Sequence, residues 1–228
     1  MSAAEVRVRP VLGLPEIAPG DPLGDLIAGR AGALVDGDVI VISQKVVSKA
    51  EGQTRRLSSV IPGAEASKLA RILGKEPNLV QLILEESAEV IRAERGVLIV
   101  ETRHGLVCAN AGIDSSNVSD SESVLLLPEE PDESARRLRA EIGAATGARI
   151  GVVIADSFGR AWRIGQVEVA IGCAGIRPLE DWRGRPDRDG RELAGLPRDQ
   201  RPERIARFDL RHADDRPDAH FGSPHITP

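Results

Sequence analysis

Two segments of the chain end an apolar run with an aspartate followed by small polar residues: Gly112-Ile113-Asp114-Ser115-Ser116-Asn117 and Ile154-Ala155-Asp156-Ser157-Phe158-Gly159-Arg160. Each has the form of a loop that leaves a strand and approaches a ligand. Carboxylate and hydroxyl oxygens are hard donors suited to Mg2+ or Mn2+, cations that keep several waters and bridge to phosphate oxygens. Asp114 and Asp156 are therefore the candidate metal ligands. Two carboxylates held about 4 Å apart repel by roughly 4 kcal/mol at an effective dielectric of about 20, so such a pair requires a cation or a shared proton. The alternative is that each aspartate only caps its own turn, since Asp competes well for nearby backbone donors.

Three basic residues could act with these loops. Arg160 and Arg163 lie between Gly159 and Gly165, and a guanidinium fork matches phosphate or carboxylate with two parallel hydrogen bonds. A structural ion pair is the plainer reading of the same residues. Lys49, in Ser48-Lys49-Ala50-Glu51-Gly52, could meet a phosphate as a point charge or simply be solvated. The sequence holds neither Gly-x-x-x-x-Gly-Lys-Ser/Thr nor Gly-x-Gly-x-x-Gly, so a nucleotide would need a cradle other than the two common ones.

The elements that must position these residues follow from periodicity. Val6 to Val11 reads as a short strand broken by Pro10, and Gly13 to Ile17 as a rigid turn. Asp21-Pro22 starts a helix that carries Leu23, Leu26 and Ile27 on one face as far as about Ala31. Val39 to Ile42 is a continuous β-branched run, expected to be a strand covered on both faces and delivering Ser43, Gln44 and Lys45 at its end. Helical spacing predicts helices over Ala64 to Leu73 and Leu79 to Ile91. Val97 to Val100 and Leu106 to Ala109 predict a hairpin turning near His104-Gly105. A helix is expected from Glu133 to Thr146 with Arg136, Arg137 and Arg139 on a solvated face, then strands at Ile150 to Ala155 and Val167 to Cys173. The fold class is α/β (α+β), with mixed β-sheets and flanking helices and no P-loop.

Composition narrows the partners. The chain has 228 residues, 41% of them apolar and only 2% aromatic with no Tyr, so its core must be built from Val, Ile, Leu and Ala. A formal net charge of -5 argues against nucleic acid as a partner, because duplex binding needs a concentrated basic face. Cys108 and Cys173 sit in apolar runs and read as buried reduced thiols. No run approaches the roughly 18 apolar residues that span a bilayer, and no basic-then-apolar segment opens the chain, so a cytoplasmic protein with no membrane partner is expected.

Taken in order, Gly13-Leu14-Pro15-Glu16-Ile17, Val46-Val47-Ser48-Lys49-Ala50-Glu51-Gly52, Leu84-Glu85-Glu86-Ser87, Asn110 to Asn117 and Asp156-Ser157-Phe158-Gly159-Arg160 form a series that resembles the coenzyme F420:L-glutamate ligase family. Asp181 to Asp187 and Gly190-Arg191-Glu192-Leu193 extend the likeness over about residues 6 to 193. The resemblance implies a GTP-dependent ligase that adds L-glutamate to the deazaflavin precursor F420-0, and then further γ-linked glutamates, through an acyl phosphate. It implies Mg2+ or Mn2+ at Asp114, Asp156 and Ser157, GTP as co-substrate, and K+ as a further cation. It places GTP contacts at Leu14, Pro15, Glu16, Ile17, Gln44, Lys45, Lys49 and Asn117, and it suggests a homodimer. A role for Arg160, or for Arg163, in holding phosphate oxygens is an inference from the arginines' chemistry.

The resemblance fades at the C-terminal end. Residues 1–195 read as one ligase-like domain lacking the last part of the family pattern, whose Ala-rich helix and Val-x-Gly loop do not appear. Leu196 to Pro228 is crowded with Arg, Asp, Pro and three of the four histidines, lacks periodicity, and reads as a disordered tail. A shifted reading frame in a GC-rich gene would yield such a composition. A nucleotide- and metal-binding remnant without turnover, or a dimerisation partner of an intact ligase, is the competing expectation.

Overall fold

The β-branched run after Gly37-Asp38 forms β1 (Val39–Ser43), and its pairing organises the rest. The computed structural model describes residues 6–115, 122–159, 164–177, 184 and 186–192. Within these, β1 lies parallel to β7 (Gly151–Gly159), in a register from Val39↔Gly151 to Ser43↔Ala155. β7 in turn pairs antiparallel with β8 (Gln166–Ala174), so the sheet order is β1-β7-β8. Helices α1 (Leu23–Ala28), α2 (Gln44–Ala50) and α5 (Pro131–Thr146) supply the side chains that cover it. Ile27, Ile42, Val47, Leu138, Ile142, Val152, Ile154, Phe158 and Val169 share one apolar core there.

A second sheet is purely antiparallel: β3 (Ser87–Glu94), β4 (Val97–Thr102) and β5 (Val107–Ala109). Its inner face meets α3 (Ala64–Leu73) and α4 (Pro77–Glu85) around Leu98, Val100, Val80 and Ile83. A short antiparallel pair, β2 (Thr54–Arg56) with β6 (Ser123–Leu125), makes a third sheet. The expected mixed sheets with flanking helices are thus present, as an α+β arrangement. β3, β4 and β5 follow one another directly, the last two as the expected hairpin and β3 in place of the end of a predicted helix.

Several predicted elements shift. Val6 to Val11 is no strand; Val6 and Val8 stand 86% and 91% exposed and enter no ladder among the described residues. β1 is not covered on both faces among the described residues, since Ile40 and Ile42 are buried while Val41 is 60% exposed. β-Branched composition suits any pleated strand and does not reveal how many faces are covered. The helix predicted over Leu79 to Ile91 starts with Pro77 in its first turn and ends at Glu85. Ser87 Oγ donates to the Ile83 carbonyl at that end, and Val90-Ile91 belongs to β3, where branched side chains fit better. Periodicity alone does not separate these alternatives in a short apolar run.

Other expectations hold closely. α3 spans Ala64–Leu73 and stops at Gly74, whose φ of 64° is the left-handed cap that glycine adopts without strain. The hairpin turns at His104-Gly105, closed by Gly105 N–H to the Thr102 carbonyl at 2.8 Å. Cys108 and Cys173 are buried free thiols. The α5 arginines are more than a solvated face. Arg136 pairs with Glu133, but Arg137 pairs with Glu51 at 2.5 Å and Arg139 Nε donates to the Ile150 carbonyl at 2.9 Å. No helix among the described residues is long and apolar enough to cross a membrane.

The start of α5 lies directly on β8. A Cβ added at Gly172 would sit 2.4 Å from the carbonyl carbon and oxygen of Pro131, well inside contact distance, so the helix could stay only by moving. Gly172→Ala is therefore expected to lower stability by about 1–3 kcal/mol, the usual cost of overpacking. Urea unfolding reads this as a lower midpoint at unchanged slope. An unaltered midpoint would show that α5 shifts freely.

Candidate active site

Because β7 outruns β1, it carries polar residues past the point where the parallel pairing stops. Ser43, the last residue of β1, registers with Ala155, and Asp156 follows immediately. Lys45 stands in the first turn of α2, which begins where β1 ends. Asp114 arrives from elsewhere in the chain and is pinned by its own backbone: Asp114 N–H donates to the Leu125 carbonyl at 3.0 Å, and Leu125 N–H returns to the Asp114 carbonyl at 2.8 Å.

The approach to Asp114 is strained. Asn110, Ala111 and Gly112 take φ values of 52°, 55° and 70° in succession. Glycine tolerates this region and asparagine visits it, but for alanine it costs roughly 1–2 kcal/mol. Burial of the Ala111 methyl, which is 2% exposed in the core with Leu98 and Val100, offsets part of that cost. Strain kept beside a cluster of polar groups is common at functional sites.

These pieces enclose a cavity of about 450 Å3 lined by Ser43, Lys45, Cys108, Asn110, Asp114, Asp156, Ser157, Gln166 and Glu168 among others. Lys45 Nζ lies 2.5 Å from Asp114 Oδ2. Ser157 Oγ donates to Glu168 Oε1 across the β7–β8 ladder, where the two residues are direct partners. The Asn110 Oδ1 atom is buried without a hydrogen-bond partner among the described residues. Burial pushes the Asp156 carboxyl up from 3.8 to about 6; the Ser157 N–H opposes this, the charges of Glu168 and Asp114 add to it, and Lys45 counters in part. Burial, with the charge of Asp156, also pushes the Cys108 thiol up to about 12, so it stays neutral.

The sequence-predicted residues divide into three groups. Asp114, Asp156, Ser157 and Lys45 come together in the cavity. Lys49 and Glu16 meet each other, the ammonium donating to the carboxylate, which fastens the turn at Leu14, Pro15, Glu16 and Ile17 to α2. Ile17 is buried in the main core and Leu14 packs against it. Gln44 is wholly buried and accepts the Ser48 hydroxyl at 3.0 Å, while its Nε2 has no hydrogen-bond partner among the described residues. Arg160, Arg163 and Asn117 lie outside the described residues, as does the tail. Glu168 was missed by sequence reasoning. The signal available was an acidic residue alternating with valines in Gln166-Val167-Glu168-Val169, the pattern of a strand with one polar face.

A divalent cation suits this donor set. Three lining carboxylates, Asp114, Asp156 and Glu168, face the single ammonium of Lys45 among the described lining residues. The ammonium on Asp114 already occupies the kind of position a metal ion would take. Among the described residues no three His, Cys, Asp or Glu side chains form a ready cage, so a cation here would draw further oxygens from water and substrate, as Mg2+ typically does.

Comparison with known proteins gives the class: a ligase on an α+β scaffold. The profile of the F420-0:Gamma-glutamyl ligase family matches residues 12–201. The chain belongs to that family. The coenzyme F420:L-glutamate ligase of Archaeoglobus fulgidus is 48% identical over 188 residues, covering 82% of this chain and 74% of the relative. Its namesake from Methanocaldococcus jannaschii is 46% identical over 171 residues, 75% of this chain and 67% of the relative. That of Halobacterium salinarum is 47% identical over 188 residues, 80% and 72% respectively. The family match reaches a few residues beyond the 193 at which the motif series stops.

The raised Asp156 carboxyl makes a signed prediction for the metal-free protein. A raised folded value means that the folded state holds the proton more tightly, so stability is lost as pH rises from about 3.8 towards about 6. In EDTA, the Tm of wild type is expected to fall relative to that of Asp156→Asn over that interval and to run parallel above it. A constant difference between the two proteins across the interval would contradict the assignment.

Proposed function

We propose that this chain adds L-glutamate to coenzyme F420-0 in F420 biosynthesis, using GTP and a divalent metal, and extends the product with further γ-linked glutamates. The observation that carries the chemical part is the cavity in which Asp114, Asp156, Ser157 and Glu168 converge with Lys45 at the end of β7. A carboxylate is a poor electrophile, and phosphoryl transfer to its oxygen, releasing GDP, turns that oxygen into a good leaving group. The glutamate amine then attacks the carbonyl carbon, the amide C–N bond forms, the C–O bond to phosphate breaks, and the amine loses a proton.

In this reading Asp114, Asp156 and Ser157 would hold Mg2+ or Mn2+, which when bound neutralises charge developing on phosphate oxygens. Lys45 and Lys49 supply ammonium groups, and the turn from Leu14 to Ile17, Gln44 and Asn117 contact the nucleotide. Arg160 steadies transferring oxygens, K+ is a further cation of the site, and two copies of the chain form a homodimer in the cytoplasm. Gln44 stands between Ser43 and Lys45, which both line the cavity, and its buried Nε2 lacks an acceptor among the described residues, which supports a role beside the site.

The direct test incubates the protein with F420-0, L-glutamate, GTP and Mn2+. GDP release that depends on glutamate, together with product one glutamate heavier by mass spectrometry, is expected. GTP binding without glutamate-dependent turnover would instead favour the remnant reading. Asp114→Asn and Asp156→Asn are each expected to abolish metal-dependent GTP binding by calorimetry while the circular dichroism spectrum is kept. Retained binding in both variants would place the nucleotide elsewhere.

A further inference from the structure

We propose that Glu168 is a positioning residue: by accepting the hydrogen of the Ser157 hydroxyl, it holds the Ser157 oxygen with its lone pairs turned to a divalent cation. This rests on the reading of Asp114, Asp156 and Ser157 as cation ligands. Ser157 and Glu168 face each other directly in the β7–β8 ladder, both line the cavity, and Ser157 Oγ donates to Glu168 Oε1. A hydroxyl carries one hydrogen and two lone pairs and ordinarily rotates among partners. Once its hydrogen is committed to a carboxylate, the remaining direction offers only oxygen, and carboxylates behind metal ligands act in this way.

Two further features favour the indirect role. Asp114 has the Lys45 ammonium beside it, whereas Glu168 has no cationic partner among the described residues, so an ion pair does not account for its place in the cavity. The ladder also holds Glu168 in position. β8 carries one extra residue where Ile154↔Gly172 gives way to Ala155↔Ala170. This bulge lets Val167 and Val169 keep to the core face and leaves Glu168 opposite Ser157.

The test is Mn2+ titration of the full chain without nucleotide, followed by the electron paramagnetic resonance of free Mn2+, with melting curves in EDTA to show that each variant is folded. Glu168→Ala is expected to weaken Mn2+ binding by about tenfold, the lower end of the effect of losing such a supporting group. Ser157→Ala should weaken it as well, and the double variant should bind no worse than Ser157→Ala alone, because Glu168 acts through that hydroxyl. Glu168→Gln, which keeps an accepting oxygen, should stay closer to wild type than Glu168→Ala. Wild-type affinity in Glu168→Ala, a further loss in the double variant, or a Gln variant as weak as the Ala variant would overturn the proposal while leaving the cation site in place. Unchanged Mn2+ binding in both Asp114→Asn and Asp156→Asn, or no binding by wild type, would overturn the underlying reading itself.

Discussion

Carboxylates gathered at the end of a buried strand repel one another, and the fold has to hold them together against that repulsion. Asp114, Asp156 and Glu168 share one cavity with the Lys45 ammonium. The charge is divided unequally. Asp114 is paired with Lys45, while at Asp156 both burial and acidic neighbours make ionisation harder. An arrangement that remains short of positive charge without its ligand gains most from a doubly charged cation, and the strength of that gain rises as water is excluded.

Rigid pairing supplies the restraint. Asp156 is fixed by the parallel register of β1 with β7, Lys45 by the helix that starts where β1 stops, and Asp114 by two backbone hydrogen bonds to Leu125. None of the three depends on a long free loop. The cost appears instead in the backbone before Asp114, where Asn110 and Ala111 take left-handed conformations. Placing the strain there leaves the carboxylates on regular structure, which holds geometry better than a loop does.

Much of this was legible in the residues. The two aspartates stood out at the ends of apolar runs, although a turn cap was a ready alternative; Asp156 and Ser157 lie within β7, which continues to Gly159, and not in the loop expected there. α3, the His104-Gly105 hairpin and α5 followed from spacing and caps. What was hidden depends on tertiary partners. The exposure of Val41 reflects the absence of a covering layer among the described residues, not any property of the β1 sequence. The break between α4 and β3 depends on β4 being available to pair with Val90 and Arg92. Glu168 could be placed on a polar strand face but not opposite Ser157, because register requires knowing both strands and the extra residue in β8. Lys49 shows the converse: its charge could be read as a phosphate contact, while its pairing with Glu16, 33 residues earlier, was not visible in the sequence.

Alternation along β7 gives the cavity its last property. Asp156 shares a face with Phe158, whose ring belongs to the main core, so its carboxylate is surrounded by apolar contacts on one side. Ser157 points to the other face, which is open and bordered by Glu168. One dipeptide therefore offers an oxygen from a dry side and an oxygen from a wet side of the same strand. A single hinge-free element thus addresses both the buried and the open part of the cavity. A change in the β7–β8 register by one residue would exchange the two, bringing a valine opposite Ser157 and Glu168 onto the core face. The bulge in β8 is for this reason as much a part of the site as the carboxylates, although its extra residue, Ile171, lies in the apolar core away from the polar end of the strand.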